Sequence, residues 1–323
     1  MKSQLLLVLL LFILPALIQD IAKDKLTIYA SLSYYKCDLD GDGLGDLAVW
    51  DPKNSTLYFQ KTSDKKFYSK KFFNTNLRYE PVFADYDGDS ITDFVFFQPD
   101  TGQWVLHLST KPDTRKTFLG TIGDLPIPTD LNGSRSYQIG IWRPIGSFWL
   151  VNLEDKEGNK NLNLIREGSY QDSPTAPDYD GDRKSDLIVW RPDDGIWHIV
   201  KSGTNFDFQE SEHIQHGQEW DIVIPNDYNG DGKADLVFYR PQDKTWYFLY
   251  TDNKGKNQIK FGGKDDIPLS QDLDKDNIPE LITWNQKKKS WNILNLSKQE
   301  TYSYKWSVPD GCIPANTILQ KHE

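Results

Sequence analysis

The sequence predicts an all-β fold, a six-bladed β-propeller of four-stranded antiparallel blades, on the strength of three features. One nine-residue acidic pattern recurs six times in the 323 residues, starting at positions 38, 85, 130, 178, 227 and 272. Aromatic residues and prolines follow each copy in a fixed register. The stretches between copies read as short buried strands, about four per unit of ~45 residues, which is the spacing of propeller blades. An aromatic content of 13% and a hydrophobic content of 38% exclude a disordered chain.

The six copies align without gaps as DLDGDGLGD, DYDGDSITD, DLNGSRSYQ, DYDGDRKSD, DYNGDGKAD and DLDKDNIPE, with starts 47, 45, 48, 49 and 45 residues apart. Twelve residues after each start stands an aromatic: Trp50, Phe97, Trp142, Trp190, Tyr239 and Trp284. Two residues further stands Pro52, Pro99, Pro144, Pro192 or Pro241, with Gln286 in the last unit. Nineteen residues after each start come Trp104, Trp149, Trp197, Trp246 and Trp291, with Leu57 in the first unit. The runs LAVW at 47–50, LIVW at 187–190 and LVFY at 236–239 are apolar without alternation, as strands covered on both faces are. Proline, which cannot donate to a ladder, then ends the strand. A turn such as Asp193-Asp194-Gly195 follows, and the Trp segment opens the next strand. Further β-type runs at 67–73, 116–119 and 301–306 supply outer strands. Six units thus fill residues 32–306, and the alternative is a seventh, degenerate blade made from 26–31 and 308–323.

The two ends carry separate expectations. Lys2 followed by the apolar run 5–14 reads as a signal peptide, residues 1–19, because the run is too short for a spanning helix. That leaves 20–323 as one propeller domain, without a membrane span after cleavage, in a secreted, periplasmic or cell-surface location; the alternative is an uncleaved anchor. Two cysteines exclude a disulfide-dense scaffold or a cysteine-built zinc site. Cys37 closes the first unit's opening strand and Cys312 lies just past the last unit. In a ring these ends are neighbours, so a Cys37–Cys312 disulfide is expected, with two buried thiols as the alternative.

The nine-residue loops have the chemistry of calcium cages. Ca²⁺ takes six to eight hard oxygen ligands, and alternate residues of a tight loop supply them. Side-chain oxygens fall at the first, third, fifth and ninth positions, with a backbone carbonyl expected at the seventh. The ligand sets are Asp38, Asp40, Asp42, Leu44 and Asp46; Asp85, Asp87, Asp89, Ile91 and Asp93; Asp178, Asp180, Asp182, Lys184 and Asp186; Asp227, Asn229, Asp231, Lys233 and Asp235; and Asp272, Asp274, Asp276, Ile278 and Glu280. The fourth position is glycine in five of the six loops, where a left-handed turn is expected. The third loop, with Asp130, Asn132, Ser134 and Gln138, keeps one charge and is not expected to hold tight calcium. About five structural ions are therefore expected. The six loops hold 20 acidic ligand side chains, so the net charge of −10 would be +10 without them. The acidity describes a metal, and it speaks against nucleic acid as a partner.

In these residues the chain resembles the FG-GAP/VCBS-type repeats, related to the propeller of integrin α subunits. The likeness is closest in DYDGDRKSDLIVWRPDDGIW at 178–197 and from Phe261-Gly262 through Ile267-Pro268 into the loop at Asp272. The resemblance implies a propeller whose calcium loops join the first two strands of each blade. Phe-Gly occurs only at 261–262 among the repeats and no Gly-Ala-Pro triplet exists, so the likeness extends to the cage and architecture and does not transfer integrin adhesion.

The expected function is a non-catalytic recognition or adhesion module for glycan or protein, as a monomer, since propellers host many functions on one fold. The alternative is a propeller polysaccharide lyase or glycosidase, which needs two carboxylates across a cleft. His107, His198, His213, His216 and His322 are scattered, and no nucleophile elbow, P-loop or zinc-protease motif occurs. The repeated tryptophans read as blade core or as sugar-stacking platforms. Arg143, Arg191 and Arg240, thirteen residues after their loop starts, pair with local carboxylates or anchor an anionic ligand. The longest insertions, 154–161 and 204–216, are candidate docking loops.

Overall fold

The computed structural model describes residues 26–31, 35–154, 160–166, 168–252 and 255–321. The expected signal peptide and His322 lie outside them, as does most of the 154–161 insertion. Among the described residues no helix is long and apolar enough to cross a membrane.

Six four-stranded antiparallel sheets stand as blades. Blade two runs from the inside outward as Glu80–Pro81, Phe94–Gln98, Gln103–His107 and Arg115–Phe118. Blade three is Leu125–Pro126, Gly140–Arg143, Phe148–Glu154 and Lys160–Arg166. Blade four is Ser173–Thr175, Leu187–Arg191, Ile196–Val200 and Glu212–Gln215. Blade five is Ile222–Val223, Leu236–Arg240, Thr245–Leu249 and Lys256–Lys260. Blade six is Asp266–Gln271, Glu280–Asn285, Ser290–Asn295 and Glu300–Lys305.

The second strands are buried on both faces, as their unbroken apolar runs require; Leu47–Asp51 is buried throughout. Positions twelve and nineteen of each unit face each other across the second and third strands: Trp50 and Leu57, Phe97 and Trp104, Trp142 and Trp149, Trp190 and Trp197, Tyr239 and Trp246, Trp284 and Trp291. All twelve side chains are buried, so the repeated tryptophans are blade core. Ring centroids 4.7 to 5.5 Å apart in four of these pairs give tilted aromatic contacts that add to area burial.

Blade one closes the ring and differs from the expected unit. Its outer three strands are Leu47–Asp51, Thr56–Gln60 and Phe67–Lys71, and its inner strand is composite. Ile313–Pro314 pairs with Trp50 and Val49, Ala315 N–H donates to Ala48, and Cys37 takes the upper part, accepting from Asp46 N–H. Both ends of the chain therefore share the first blade instead of building a seventh. The strand Leu26–Ser31 pairs antiparallel with Thr317–Lys321 and lies against the inner strands of blades four, five and six, on the axial side of the ring. Side-chain amides secure the closure. Gln271 of blade six accepts from Cys37 N–H (3.0 Å) and donates to Tyr35 (2.9 Å). Asn316 holds both backbone groups of Phe83 in blade two (2.7 and 2.9 Å).

The expected Cys37–Cys312 disulfide is not formed; both are free, buried thiols. The composite strand explains why. Cys37 stands level with Asp46, whereas Cys312 precedes the Ile313–Trp50 pair and stands level with Asp51. Five residues of strand separate them, roughly 17 Å at ~3.3 Å per residue, against the ~7 Å limit between Cα atoms for a bridge. Burial pushes both thiols up, Cys312 to about 12.

The acidic loops join each inner strand to the second strand and form a ring of their own. The eighth-position N–H of one loop donates to the first-position carbonyl of the preceding loop: Thr92 to Asp38, Tyr137 to Asp85, Ser185 to Asp130, Ala234 to Asp178, and Gly45 back to Asp272, at 2.7 to 2.8 Å. The sixth loop has Pro279 there, which has no N–H, so the joint between loops five and six lacks this bond.

At the opposite end of the second strand an ion pair repeats in blades three, four and five. Arg143, Arg191 and Arg240 make two-pronged contacts to Asp124, Asp172 and Asp221 at 2.7 to 3.0 Å. In blade six Asn285 donates to Asp266 in the same place (2.6 Å). These arginines pair with local carboxylates. Asp172 also accepts from Ser169 N–H (2.6 Å) and so fixes the turn into the inner strand. Removing it leaves a partly buried guanidinium and an orphaned N–H. Asp172→Ala is expected to cost about 2–4 kcal/mol, and Asp172→Asn less, read from urea unfolding midpoints; an unchanged midpoint for the alanine variant would refute the clasp's structural role.

Candidate metal centre

Each loop is folded by its own carboxylates. Asp38 accepts from Gly41 N–H and Gly43 N–H on its two oxygens (2.8 and 2.9 Å). Asp85, Asp178, Asp227 and Asp272 do the same for the fourth and sixth residues of their loops. The fifth-position carboxylates of Asp42, Asp89, Asp182, Asp231 and Asp276 accept from the N–H of Leu44, Ile91, Lys184, Lys233 and Ile278 at 2.7 to 2.9 Å. Glycine at the fourth position answers two demands. Gly41 has φ of 75°, and a Cβ there would stand 2.9 Å from the Ile91 side chain of the next loop.

The ninth position ties the loop to the rest of its blade. Asp46 accepts from Leu39 N–H (2.8 Å) and from Thr62 N–H (2.6 Å) at the turn after the third strand. Asp93 does so with Tyr86 and Ser109, Asp186 with Tyr179 and Ser202, and Asp235 with Tyr228 and Thr251. Glu280 accepts from Leu273 N–H and the Asn295 side chain, both at 2.7 Å. Burial pushes these carboxyls up, to about 6 for Asp46, Asp93 and Asp186 and about 7 for Asp235 and Glu280, against the backbone hydrogen bonds that oppose the shift.

The third position tests whether a cation fits. One carboxylate oxygen of Asp40, Asp87 and Asp274 is buried without any hydrogen-bond partner. In the fifth loop the buried, unpartnered atom is the Asn229 amide nitrogen, while its Oδ1 accepts from Asp231 N–H (3.0 Å). Buried acceptors normally have partners, so the oxygens of Asp40, Asp87 and Asp274 want a donor or a cation. Ligand atoms of Asp38, Asp40 and Asp42 lie within 4.8 Å of one another, as do those of Asp85, Asp87 and Asp93, of Asp178, Asp180 and Asp186, and of Asp272, Asp274 and Asp276. An all-oxygen set of this density suits a hard divalent cation. Four loops therefore bring three carboxylate donors together for an ion, and the fifth loop, with Asp227, Asn229, Asp231 and Asp235, keeps the same residue pattern.

The third loop does not. Asp130 still folds it, accepting from Ser134 and Arg135 N–H (3.0 and 2.8 Å), and Gln138 Oε1 accepts from Leu131 N–H in place of the ninth carboxylate. Gln138 Nε2 donates to the seventh-position carbonyl of Ser136 and to Asn132 Oδ1. An N–H donor thus meets the oxygens that face the cation position in the other loops.

The sequence reading missed a second tier of contacts. Ser63 donates to Asp40, Ser109 to Asp89, Thr110 to Asp87 and Ser202 to Asp182. The hydroxyl residues Thr62, Ser109, Ser202 and Thr251 stand 24 residues after their loop starts, and that spacing was a usable signal. Among the other candidates, His213 meets His198, Nδ1 to Nδ1 at 2.9 Å, while His216 is buried against Phe238. His213 and His216 do not converge. The 204–216 insertion contains the short turn Phe208–Glu210 and the outer strand Glu212–Gln215.

The FG-GAP-like repeat model matches residues 38–96 and 178–238. No curated protein matches the chain. A lectin from Agrocybe aegerita, described as recognising non-reducing terminal N-acetylglucosamine, superposes with a TM-score of 0.61 at 13% identity, covering 90% of this chain and 84% of that one. A Lactobacillus plantarum protein superposes with a TM-score of 0.49 at 8% identity, covering 86% and 98%.

The ninth-position carboxyls set a pH dependence. Their folded-state values lie above the ordinary 3.8 to 4.5, so with chelator present the folded state holds protons that the unfolded state releases, and stability should fall as pH rises from about 4 to about 7. Asp235→Asn should flatten that slope in melts with chelator; an identical slope in the variant would show that this carboxyl ionises freely. With six blades and the repeat model matched over two stretches that hold four of the acidic loops, the chain is a six-bladed β-propeller carrying FG-GAP-like repeats.

Proposed function

We propose that this chain is an exported propeller, stabilised by about five calcium ions, that acts as a non-catalytic recognition module for glycans. The observation that carries the reading is the set of buried, unpartnered oxygens of Asp40, Asp87 and Asp274, each pointing to a cation and not to a protein donor. Calcium would supply positive charge to carboxylates that otherwise repel, through the first, third, fifth and ninth side chains and the seventh carbonyl. The apolar run at 5–14 after Lys2 supports export.

Recognition is supported by a cleft of about 420 Å³ between blades six and one. Tyr302 and Tyr304, 39% and 45% exposed, line it together with Lys61, Lys65 and Lys298. Exposed aromatic faces beside polar donors suit sugar rings, which need an apolar platform and hydrogen bonds together. The Agrocybe aegerita lectin has the same fold, so a sugar ligand is compatible with this architecture.

Two measurements test the reading. The melting temperature should be higher in calcium than in chelator, since a ligand at 100 times its Kd adds about 2.7 kcal/mol per site, and metal analysis should return about five ions per chain; equal melts would remove calcium from the account. On a glycan array the calcium-loaded protein should retain a sugar, and Tyr302→Ala with Tyr304→Ala should weaken that binding about tenfold. An empty array, or retention that ignores both tyrosines, would refute the glycan assignment at this cleft.

A further inference from the structure

The cations of the acidic loops are distributed unevenly round the ring. Arg135 and Arg183 occupy the sixth position of loops three and four, where the other loops have Gly43, Ser90, Gly232 and Asn277. Lys184 and Lys233 occupy the seventh position of loops four and five, where the others have Leu44, Ile91, Ser136 and Ile278. All four line one cavity of about 340 Å³ among these three loops, with Asp130, Asp178 and Asp227 on its wall.

The placement is built by the loops themselves. The backbone of Arg135 and Arg183 is fixed at φ of 65° and 68°, each N–H donating to its first-position aspartate at 2.8 Å. The lysine stems cross from blade to blade: a Cβ on Gly133 would stand 3.2 Å from Lys184 Cγ, and one on Gly181 3.1 Å from Lys233 Cγ. Lys184 lies 3.5 Å from Asp182. Among the described residues Arg135, Arg183 and Lys233 have no ion-pair partner.

We propose that this cavity binds an acidic saccharide, with carboxylates of the sugar meeting Arg135, Arg183, Lys184 and Lys233, and that calcium in loops four and five switches the site on. Guanidinium groups favour two-pronged contact with carboxylate, and four cations round one cavity ask for several anionic groups on one ligand. A small cavity in a chain of net charge −10 disfavours a nucleic acid as the polyanion. Without an ion, Asp130, Asp178 and Asp227 oppose the four cations at the cavity wall, and Asp182 pairs with Lys184. With the charge of Asp178, Asp182 and Asp227 taken up by calcium, Asp130 alone still opposes the four cations, and the cavity is left net positive toward the ligand. The proposal rests on the calcium reading above, and it assigns a binding face different from the Tyr302–Tyr304 cleft.

The test is titration calorimetry of the full chain with a uronate trisaccharide, with the heat of calcium binding to the sugar subtracted. Binding is expected in calcium and lost in chelator. Arg135→Gln combined with Arg183→Gln should weaken it at least tenfold while keeping the calcium-dependent melting shift. Tyr302→Ala should leave it unchanged. The site is refuted if the trisaccharide gives no heat in calcium, if the double variant binds equally well, or if an uncharged trisaccharide binds as tightly. Equal binding of inorganic phosphate refutes the saccharide assignment, and binding that persists in chelator refutes the switch. Calcium that stabilises the protein without trisaccharide binding overturns this inference alone; calcium without effect on the melt overturns the reading beneath it.

Discussion

The fold depends on the first-position aspartates, which work from both ends of the residue. The carboxylate of Asp38, Asp85, Asp130 or Asp178 gathers the N–H groups of its own loop, while its backbone carbonyl accepts from the loop of the next blade. Loop conformation and blade-to-blade registry are thereby one event. A blade of four short strands has little stability alone, and its inner strand is only two or three residues long in blades two to five. Ordering the loops therefore orders the ring, and whatever neutralises the loop carboxylates stabilises the whole circle.

The ninth-position carboxylates extend the same logic outward. Each joins the start of its loop to the turn after the third strand, so the loop is braced against the outer half of its own blade. Burial of an ionised group at five such points is costly unless a cation or a proton is nearby. The third loop illustrates the other solution: Gln138 keeps the brace to Leu131 and replaces charge with an amide N–H. One architecture thus tolerates both a carboxylate-rich and a nearly neutral loop, because the first- and ninth-position side chains keep most of the backbone hydrogen bonds that fold it.

Local sequence carried much of this. The six-fold register of acid, aromatic and proline set the blade count, the second strands and the aromatic pairs, because hairpin partners separated by seven residues fall opposite each other in every unit. The alternation of oxygen-bearing residues marked the loop ligands for the same reason, since a loop of nine residues closes on itself and its contacts are local. The Arg–Asp clasps were half legible: the arginines stood out, but their partners lie 19 residues earlier, six residues before each loop start, in the preceding turn, and that spacing was not used.

Everything within one unit was therefore written along the chain: strands, turns, buried tryptophans and the oxygen sets of the loops. How the ends meet was settled only in three dimensions. Residues 313–315 and Cys37 share one strand, five residues of offset part the two thiols, and Leu26–Ser31 turns inward to the axis. Folding also brought the cations of loops three to five to one cavity, from positions about 50 residues apart in the chain. Repetition writes local contacts into the sequence six times over, whereas closure and the cavity among neighbouring loops each occur once and leave no period to read.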